Sequence, residues 1–442
     1  MNDKDTSTLD VFGVGIGPFN LSVAALLHPL QELRQVFADS KPDFRWHDGL
    51  LFDDSTLQVS HMKDLVTLAD PTSPFSFIAF LAKTKRLYRF IYADFPRASR
   101  REFNQYFRWV SESLPSIRFD TKVEAISLDG ETLKIETSRG EYRTRRVVLG
   151  TGLTPFIPAC AEVFLGPNVF HASNYLHMRF DPRGKRIAVI GGGQTSAEII
   201  SQLMLDADAM PHELHWISRR SNYLPLDESA FTNEFFTPAY CEHFYTLPAQ
   251  ERSRLLEEQY LAGNGISPAL LLSLYRRMYE LEFLHGRKRP CNLLPGTTLT
   301  GMERGADRES YVLTTQTMSN LHGQGLQKLE VDAVILCTGW EYSLPACLSP
   351  LASRIDRGAG MFAVRPDFSL EWDGPDHLQF YVQNAARHTH GIAEPNLSVM
   401  AWRGGKIANS IAGRTVYDID HMSSVFDWHA HTAARIAEIE HA

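Results

Sequence analysis

The sequence lacks the cysteine patterns of metal and redox centres. It has five cysteines and no two of them form a C-x-x-C pair: Cys160, Cys241, Cys291, Cys337 and Cys347. This spacing argues against a zinc ribbon and against a dithiol redox centre. His388 and His390 have no carboxylate at ligand spacing. We therefore expect reduced thiols and no metal site.

Long apolar runs are also missing. No uninterrupted apolar stretch reaches the roughly 18 residues that a membrane span requires. The first ten residues are polar and contain no basic segment followed by an apolar one, so a signal peptide is not expected. These two absences predict a cytoplasmic protein without a transmembrane segment.

Positive charge is in deficit. Lysine and arginine number 44 against 52 aspartates and glutamates, and the formal net charge of −8 argues against a nucleic-acid partner. Internal repeats and low-complexity tracts are absent as well. The 442 residues are 44% hydrophobic and 22% charged, which is typical of a globular protein with two or three domains.

One local plan occurs twice along the chain. Segments 10–25 and 185–205 each combine a short apolar strand, a glycine-rich turn and a helix. Each is followed later by a strand that ends in Thr-Gly, at 147–152 and at 334–339. This repetition predicts an α/β protein with two Rossmann-like dinucleotide-binding domains. Segment 226–289 has apolar residues at helical spacing and no strand runs, which predicts a small, mainly helical domain.

These patterns suggest a division of the chain. We predict a first dinucleotide-binding domain at 1–175 and a second at 176–225 and 290–338. Residues 226–289 form the helical insertion, to which we assign substrate binding. Residues 339–442 return to the first domain and include a helix near 396–413.

The first glycine turn has the features of a dinucleotide site. Gly15 occupies the tight turn, and Gly17 lets the backbone approach a pyrophosphate at a helix N-terminus. Pro18 suits the first helical position. Asp39, after the next strand, is placed to bind a ribose hydroxyl. The third fingerprint position departs from glycine, because it is Asn20.

The second glycine turn keeps the fingerprint more closely, with Gly191, Gly193 and Ser196 at its three positions and Gln194 and Thr195 between them. The next strand ends in Arg219 and Arg220 instead of an acid. An arginine pair binds a 2′-phosphate, so this site should prefer NADPH over NADH. A solvated basic turn is the alternative. Two such sites are typical of flavin-dependent oxidoreductases, and analogy assigns FAD to the first.

The chain resembles the microbial N-hydroxylating flavin monooxygenases of siderophore biosynthesis, a family of lysine N6-, ornithine N5- and diamine N-hydroxylases. The resemblance covers nearly the whole chain. It is carried by segments 15–21, 46–47, 57–65, 191–196, 227–234, 338–340 and 390–398. One departure is Trp340, where the family usually has tyrosine.

The resemblance implies a reaction. NADPH reduces FAD, the reduced flavin activates O2, and one oxygen atom passes to the terminal primary amine of a small substrate, with NADP+ retained during turnover. The product is a hydroxylamine for a hydroxamate siderophore. The attacking nitrogen must be neutral, and a pocket of low polarity would lower its pKa. We also expect a homo-oligomer, either a dimer or a tetramer.

The resemblance also implies the site residues. The expected catalytic residues are Gln58, Asn264 and Ser398. The expected substrate-binding residues are Lys63, Asn233 and Asn396. Besides the glycine turn and Asp39, the flavin is expected to contact Trp46, His47, Gln58, Thr338, Gly339, Leu397 and Ser398. A surface lysine and a helix cap are the alternatives for Lys63 and Asn233.

The charge of Lys63 bears on the substrate. A cation attracts a carboxylate and repels a second ammonium, which favours L-lysine over putrescine, cadaverine or diaminopropane and leaves ornithine open. A Baeyer–Villiger or S-oxygenating monooxygenase is a further alternative. Its F-x-G-x-x-x-H linker is absent, with only Phe170 and His171 as a vestige. Asp227 and Glu228 are either an acid pair or, as we favour, a solvated turn.

Overall fold

The computed structural model describes residues 8–306, 309–317, 325–355, 362–420 and 422–428. The N-terminal residues used in the signal-peptide argument lie partly outside this range, as does the end of the predicted 339–442 segment. A five-stranded parallel sheet organises the first half of the chain. In spatial order its strands are Gln379–Val382, Arg146–Leu149, Val11–Val14, Gln35–Ala38 and Ile117–Arg118. Gln379–Val382 completes this sheet by pairing with Arg146–Leu149, and the assignment of 339–442 to the first domain remains a prediction.

A second five-stranded parallel sheet repeats the plan. Its strands are Asn292–Leu294, Glu213–Ile217, Arg186–Ile190, Ala333–Leu336 and Val169–His171. Most of these strand residues are fully buried, as expected for parallel strands covered on both faces. The division at residue 175 remains a prediction, although Val169–His171 pairs with the second sheet.

Antiparallel strands form three smaller sheets. One consists of Val123–Asp129, Thr132–Thr137 and Gly140–Thr144, and another of Thr297–Arg304, Tyr311–Thr317 and Gly325–Val331. In Thr132–Thr137 and in Tyr311–Thr317 buried and half-buried side chains alternate, as expected for strands with one face on the core. The third sheet pairs Thr154–Pro155 with Trp340–Glu341.

Helices fill the connections. The helices outside the 226–289 segment are Pro18–Leu27, Phe77–Lys83, Leu87–Ala93, Arg100–Ser113, Ala159–Glu162, Gln194–Leu203, Arg387–His390 and Met400–Ala412. Short 3-10 turns lie at Asp48–Leu50, Ala172–His177, Thr232–Phe236, Ala346–Leu351 and Leu397–Val399. Both glycine turns lead directly into a helix, Pro18–Leu27 and Gln194–Leu203, as the fingerprint predicts.

The segment predicted to be helical has the α-helices Pro238–Thr246, Ala249–Glu258, Tyr260–Asn264 and Pro268–Tyr279, the last continuing as a π-helix, Glu280–Leu284. Its side chains divide between two hydrophobic cores. Phe236 and Cys241 pack in the core of the first sheet, whereas Leu274 and Leu281 pack in that of the second. The segment therefore bridges the two sheets, and its status as a separate domain remains a prediction.

The architecture confirms the predicted α/β class with two dinucleotide-binding sheets. All five cysteines are free. Within the described ranges, no helix combines the length and apolar character that crossing a bilayer demands.

Candidate active site

The first glycine turn opens into the larger of two described cavities. This cavity has a volume of about 670 Å³ and lies at the carboxyl ends of the first sheet. Gly15 has φ +86°, and a Cβ there would collide with the carbonyl oxygen of Gly150. At Gly17 a Cβ would meet no atom within 4 Å. The backbone at Gly17 is therefore accessible to a ligand, while Gly15 is required by the turn itself.

Asp39 is held close to this turn. Its two carboxylate oxygens accept hydrogen bonds from the backbone N–H groups of Ile16, at 2.8 Å, and Lys41, at 2.9 Å. Asp39 lines the cavity and is 9% exposed. This location is compatible with the predicted ribose contact, which remains a prediction.

Asn20, the departure from the glycine fingerprint, is 1% exposed and fits because the opposite residue is a glycine. A Cβ on Gly150 would overlap the Asn20 side chain. The Asn20 amide donates hydrogen bonds to the carbonyl oxygens of Val14, at 3.1 Å, and Gly15, at 2.9 Å. Asn20 therefore ties the helix to the glycine turn, in the place where a glycine would only allow close packing.

Aromatic and apolar side chains form another part of the cavity wall. Trp46, His47, Trp340 and Leu397 line it. Trp340, the departure from the family pattern, has its ring centroid 5.2 Å from that of His171 and 6.2 Å from that of His47.

Thr338 and Gly339 were expected at the flavin, but neither is among the residues that line this cavity. The hydroxyl of Thr338 donates to the carbonyl oxygen of Phe156, and the carbonyl oxygen of Gly339 lies 3.1 Å from Nε2 of His171. Thr338 and Gly339 therefore support the strand end, and their neighbour Trp340 reaches the cavity.

The second glycine turn has the same construction as the first. Gly191 has φ +146°, and a Cβ there would collide with the carbonyl oxygen of Cys337, whereas a Cβ on Gly193 would meet nothing within 4 Å. Ser196 is fully buried and donates to the carbonyl oxygen of Gly193 at 2.7 Å. Thr195 lies half-buried in the first turn of the helix.

Gln194 connects this turn to the 226–289 segment and, through Glu198, to the helix Arg100–Ser113. Its oxygen accepts from the backbone N–H of Ser267, and its amide donates to Glu198, both at 2.8 Å. Glu198 in turn receives two hydrogen bonds from the Arg100 guanidinium, at 2.8 and 3.0 Å. This bidentate pair joins the helix Gln194–Leu203 to the helix Arg100–Ser113.

The two arginines expected at the 2′-phosphate differ in their surroundings. Arg219 is exposed and makes no hydrogen bond or ion pair with the described part of the chain. Arg220 is half-buried and donates to the carbonyl oxygens of Gly192 and Asn264, each at 2.8 Å. It also donates to the Tyr260 hydroxyl at 2.9 Å, with its guanidinium 5.0 Å from the ring centroid.

Lys63 and Ser398, far apart in sequence, are in contact. The ammonium of Lys63 donates to the Ser398 hydroxyl at 2.9 Å. Asn396 fixes the backbone at Ser398, because its side-chain oxygen accepts a hydrogen bond from the backbone N–H of Ser398 at 2.8 Å. Burial lowers the pKa of Lys63, and the neighbouring Arg97 guanidinium lowers it further. Lys63 is therefore a partly desolvated cation next to a second one, not a surface lysine.

A smaller cavity of about 200 Å³ is lined by residues from segments 54–58, 194–201 and 226–270, together with Arg97. Gln58, Arg97, Gln194 and Glu228 are among its lining residues. Arg97 donates to the carbonyl oxygen of Gln58 and pairs with Glu228 at 2.8 Å. The side-chain nitrogen of Gln58 is buried and has no partner among the described residues, so it is available to a ligand.

Asn233 and Asn264 make no hydrogen bond to Lys63 or Ser398 in the part of the chain that the structure describes. Asn233 is exposed and donates weakly, at 3.4 Å, to the carbonyl oxygen of Glu228. Asn264 donates to the carbonyl oxygen of Tyr260 at 3.2 Å. Neither lines a described cavity, and their predicted roles remain predictions.

Sequence reasoning overlooked three contributors to these cavities. Arg97 had no local motif, and Glu228 was interpreted as part of a solvated turn. Gln383 follows a strand that carries no glycine signal. Only the position of Gln383 directly after an apolar strand, where parallel strands present their ligand-binding edge, could have drawn attention to it.

Comparison with known proteins decides the family. A family model described as L-lysine 6-monooxygenase/L-ornithine 5-monooxygenase matches residues 7–342, which is most of the chain. The chain belongs to this family. The predicted enzyme class, an NADPH-dependent flavin N-monooxygenase, is thereby confirmed.

Individual relatives of this family member extend the match over more than nine-tenths of the chain. The L-lysine N6-monooxygenase of Escherichia coli is 39% identical over 430 residues, which are 96% of this chain and 99% of that enzyme. The FAD-bound cadaverine monooxygenase of the desferrioxamine pathway from Erwinia amylovora has a TM-score of 0.89 at 32% identity, covering 95% of this chain and 98% of that chain.

A third relative is the ornithine N-hydroxylase of Kutzneria sp. 744, whose structure contains reduced FAD, NADP+ and L-ornithine. It has a TM-score of 0.85 at 30% identity and covers 92% of this chain and 99% of that chain. The three relatives are named for three different amines. Family membership therefore supports N-hydroxylation of lysine, ornithine or a diamine and leaves the choice among them open.

Proposed function

We propose that this enzyme hydroxylates the terminal amine of L-lysine for hydroxamate siderophore biosynthesis, with FAD in the first cavity and NADPH at the second glycine turn. The observation that carries the choice of substrate is the contact of Lys63 with Ser398 beside the Arg97 guanidinium. Arg97 is paired with Glu228, whereas Lys63 has no carboxylate partner among the described residues and can bind a carboxylate, which L-lysine has and a diamine lacks.

The residues fit both cofactors. Gly17 and Gly193 each leave open space where a Cβ would point, as a backbone that approaches a pyrophosphate must. The first cavity is large and has Trp46, Trp340 and Leu397 in its wall, which suits a planar aromatic ring system. The E. amylovora relative is FAD-bound, and the Kutzneria relative contains reduced FAD and NADP+.

When bound, the reduced flavin supplies activated oxygen to the substrate nitrogen. The protein must hold that nitrogen in place and keep it neutral. A carboxylate paired with Lys63 would anchor the far end of the substrate, while a pocket of low polarity around the other end would favour the neutral form of the reacting amine. Gln58, whose side-chain nitrogen has no partner among the described residues, would contact the nicotinamide or the flavin.

A diamine is the second candidate, because a specific residue favours it. The Glu228 carboxylate pairs with Arg97 at 2.8 Å and lines the smaller cavity. A carboxylate there could bind the second ammonium of cadaverine. We rank it below lysine because Glu228 is already paired, whereas the ammonium of Lys63 has only the neutral Ser398 hydroxyl as its hydrogen-bond partner in the described structure.

The test is hydroxylamine formation by the FAD-loaded enzyme with lysine, ornithine, cadaverine and putrescine, for wild type, Lys63→Ala and the exposed control Lys83→Ala. We expect the highest kcat/KM with lysine. Lys63→Ala should reduce it roughly 10- to 150-fold, mainly through KM, because a hydrogen bond to a charged group contributes about 1.5–3 kcal/mol in ground and transition states alike.

Cadaverine turnover should be unchanged or improved in Lys63→Ala, and NADPH oxidation by Lys83→Ala should match wild type. A wild-type preference for cadaverine, with both amines losing equally in Lys63→Ala, would overturn the lysine assignment. The cytoplasmic location and the homo-oligomer, dimer or tetramer, remain predictions.

A further inference from the structure

A buried glutamine outside every motif lies at the first cavity. Gln383 directly follows the strand Gln379–Val382, lines the cavity and is 2% exposed. Its backbone N–H donates to the carbonyl oxygen of Leu149 at 3.0 Å, which fixes it to the sheet edge. Its side-chain nitrogen donates to Oδ1 of Asn20 at 3.0 Å, and its Oε1 is buried without a hydrogen-bond partner in the described residues.

Asn20 determines which end of the Gln383 amide is free. The Asn20 nitrogen lies within 3.3 Å of three carbonyl oxygens, those of Val14, Gly15 and Val148, so it must be the donor end. Its Oδ1 therefore faces Gln383, which has to present its own NH2 group there. The free atom of Gln383 is consequently an acceptor.

A buried acceptor without a partner destabilises a protein unless a ligand or water supplies a donor. The neighbouring residue has the same property, since Asn384 lines the same cavity and its Oδ1 is also buried and unpartnered in the part that the structure describes. Two adjacent acceptors at one cavity indicate a ligand with hydroxyl or N–H groups. Pyrophosphate oxygens only accept, so they cannot satisfy either residue.

We infer that Gln383 accepts a hydrogen bond from a hydroxyl of the ribityl chain of FAD, an inference that rests on the proposed placement of FAD in the first cavity. The position supports the ribityl chain over the flavin N3–H. Through Asn20, Gln383 is tied to the Gly15 carbonyl of the turn that approaches the pyrophosphate, and the ribityl chain is joined directly to the pyrophosphate. Asn20 thereby acquires a role that a glycine could not fill, because it orients Gln383.

The test compares FAD affinities of apoprotein, measured by quenching of flavin fluorescence. Gln383→Met preserves side-chain length and removes both the free acceptor and the NH2 donor to Asn20, and we expect it to bind FAD about 5- to 15-fold more weakly. Gln379→Met is the matched control, because Gln379 accepts from the Tyr381 hydroxyl at 2.8 Å and does not line the cavity. It should bind FAD as wild type does.

FAD analogues that lack the 2′-, 3′- or 4′-hydroxyl of the ribityl chain identify the donor. Wild type should bind one of these analogues more weakly than FAD, by the same factor by which Gln383→Met weakens FAD binding. Gln383→Met should bind that analogue and FAD with equal affinity. Equal discrimination by both proteins for all three analogues would overturn the inference. The inference would also be overturned if wild type discriminated between FAD and 3-methyl-FAD and Gln383→Met did not. The analogue lacks the N3–H donor, so N3–H would then be the partner of Gln383.

A second variant checks the orientation. In Gln383→Glu, the protonated acid can donate to Asn20 and still offer an acceptor, whereas the carboxylate cannot donate. FAD affinity of this variant should therefore fall as pH rises, while that of wild type stays constant. Unchanged FAD binding by Gly17→Val would instead refute the placement of FAD. Loss of FAD in Gly17→Val with full affinity in Gln383→Met would refute only the present inference.

Discussion

The ammonium nitrogen of Lys63 lies 2.9 Å from the hydroxyl oxygen of Ser398, although 335 positions separate the two residues in the chain. The contact joins a loop of the first half to the 3-10 turn Leu397–Val399, which immediately precedes the helix Met400–Ala412. It places a partly desolvated cation next to a hydroxyl that the backbone holds in position. We expect the two side chains to act as a unit on the substrate.

The first prediction is non-additivity between these two residues. Ser398→Ala and Lys63→Ala should each reduce kcat/KM for lysine, and the double variant should lose less than the sum of the two, by about 1–2 kcal/mol. Ser60→Ala, an exposed serine in the same segment as Lys63, is the control. Steady-state kinetics of these variants and wild type with lysine suffice, and strict additivity would show that the residues act independently.

The second prediction separates the two arginines of the second site. Arg219 is exposed and uncommitted, so Arg219→Ala should raise the KM for NADPH roughly 10- to 150-fold, equivalent to about 1.5–3 kcal/mol, and leave NADH and the thermal midpoint unchanged. Arg220 donates hydrogen bonds to the carbonyl oxygens of Gly192 and Asn264. Arg220→Ala should therefore also lower the thermal midpoint and weaken the binding of NADH. Identical behaviour of the two variants would refute this distinction.

The third prediction uses the two open glycines. A Cβ at Gly17 or Gly193 would meet no atom of the described chain within 4 Å, so we expect both valine apoproteins to unfold close to the wild-type temperature. Gly17→Val should be colourless because its side chain occupies the pyrophosphate position. Gly193→Val should be yellow but not reducible by NADPH. Gly15→Val, which collides with Gly150, should instead be unstable. A yellow Gly17→Val protein would contradict the assignment.

The fourth prediction concerns stability in acid. His390 is 2% exposed and stacks on Phe368 at 4.1 Å. Burial, reinforced by the nearby Arg403 guanidinium, lowers the pKa of His390 from 6.5 to about 3. Between these pH values His390 binds a proton in the unfolded chain but not in the folded chain. The free energy of unfolding therefore falls as pH decreases through this window. At pH 5 the loss should be about 2 kcal/mol relative to neutral pH.

Urea unfolding at pH 7.5 and pH 5 measures this loss. His390→Phe retains the stacking and cannot titrate. Between the two pH values, its free energy of unfolding should therefore fall by about 2 kcal/mol less than that of wild type. His212→Phe, at an exposed position, is the control and should keep the wild-type pH dependence. Equal slopes for wild type and His390→Phe would rule out His390 as the cause.

The sequence by itself determined the features that depend on neighbouring residues. Gly15, Gly17, Gly191 and Gly193 could be assigned their turns because φ and Cβ clearance are local requirements, and Pro18 marked a helix start for the same reason. Apolar spacing predicted the helices of 226–289 and the two parallel sheets, since the periods of helix and strand appear directly in the sequence.

The tertiary structure alone decided the contacts between distant segments. No local pattern shows that Arg220 is committed to Gly192 while Arg219 is free, or that Lys63 meets Ser398. The same holds for Gln383, whose free oxygen is defined by hydrogen bonds that Asn20 makes to two strands. Such contacts arise when sheets and helices pack, and packing depends on the shapes of whole surfaces, which sequence spacing does not encode.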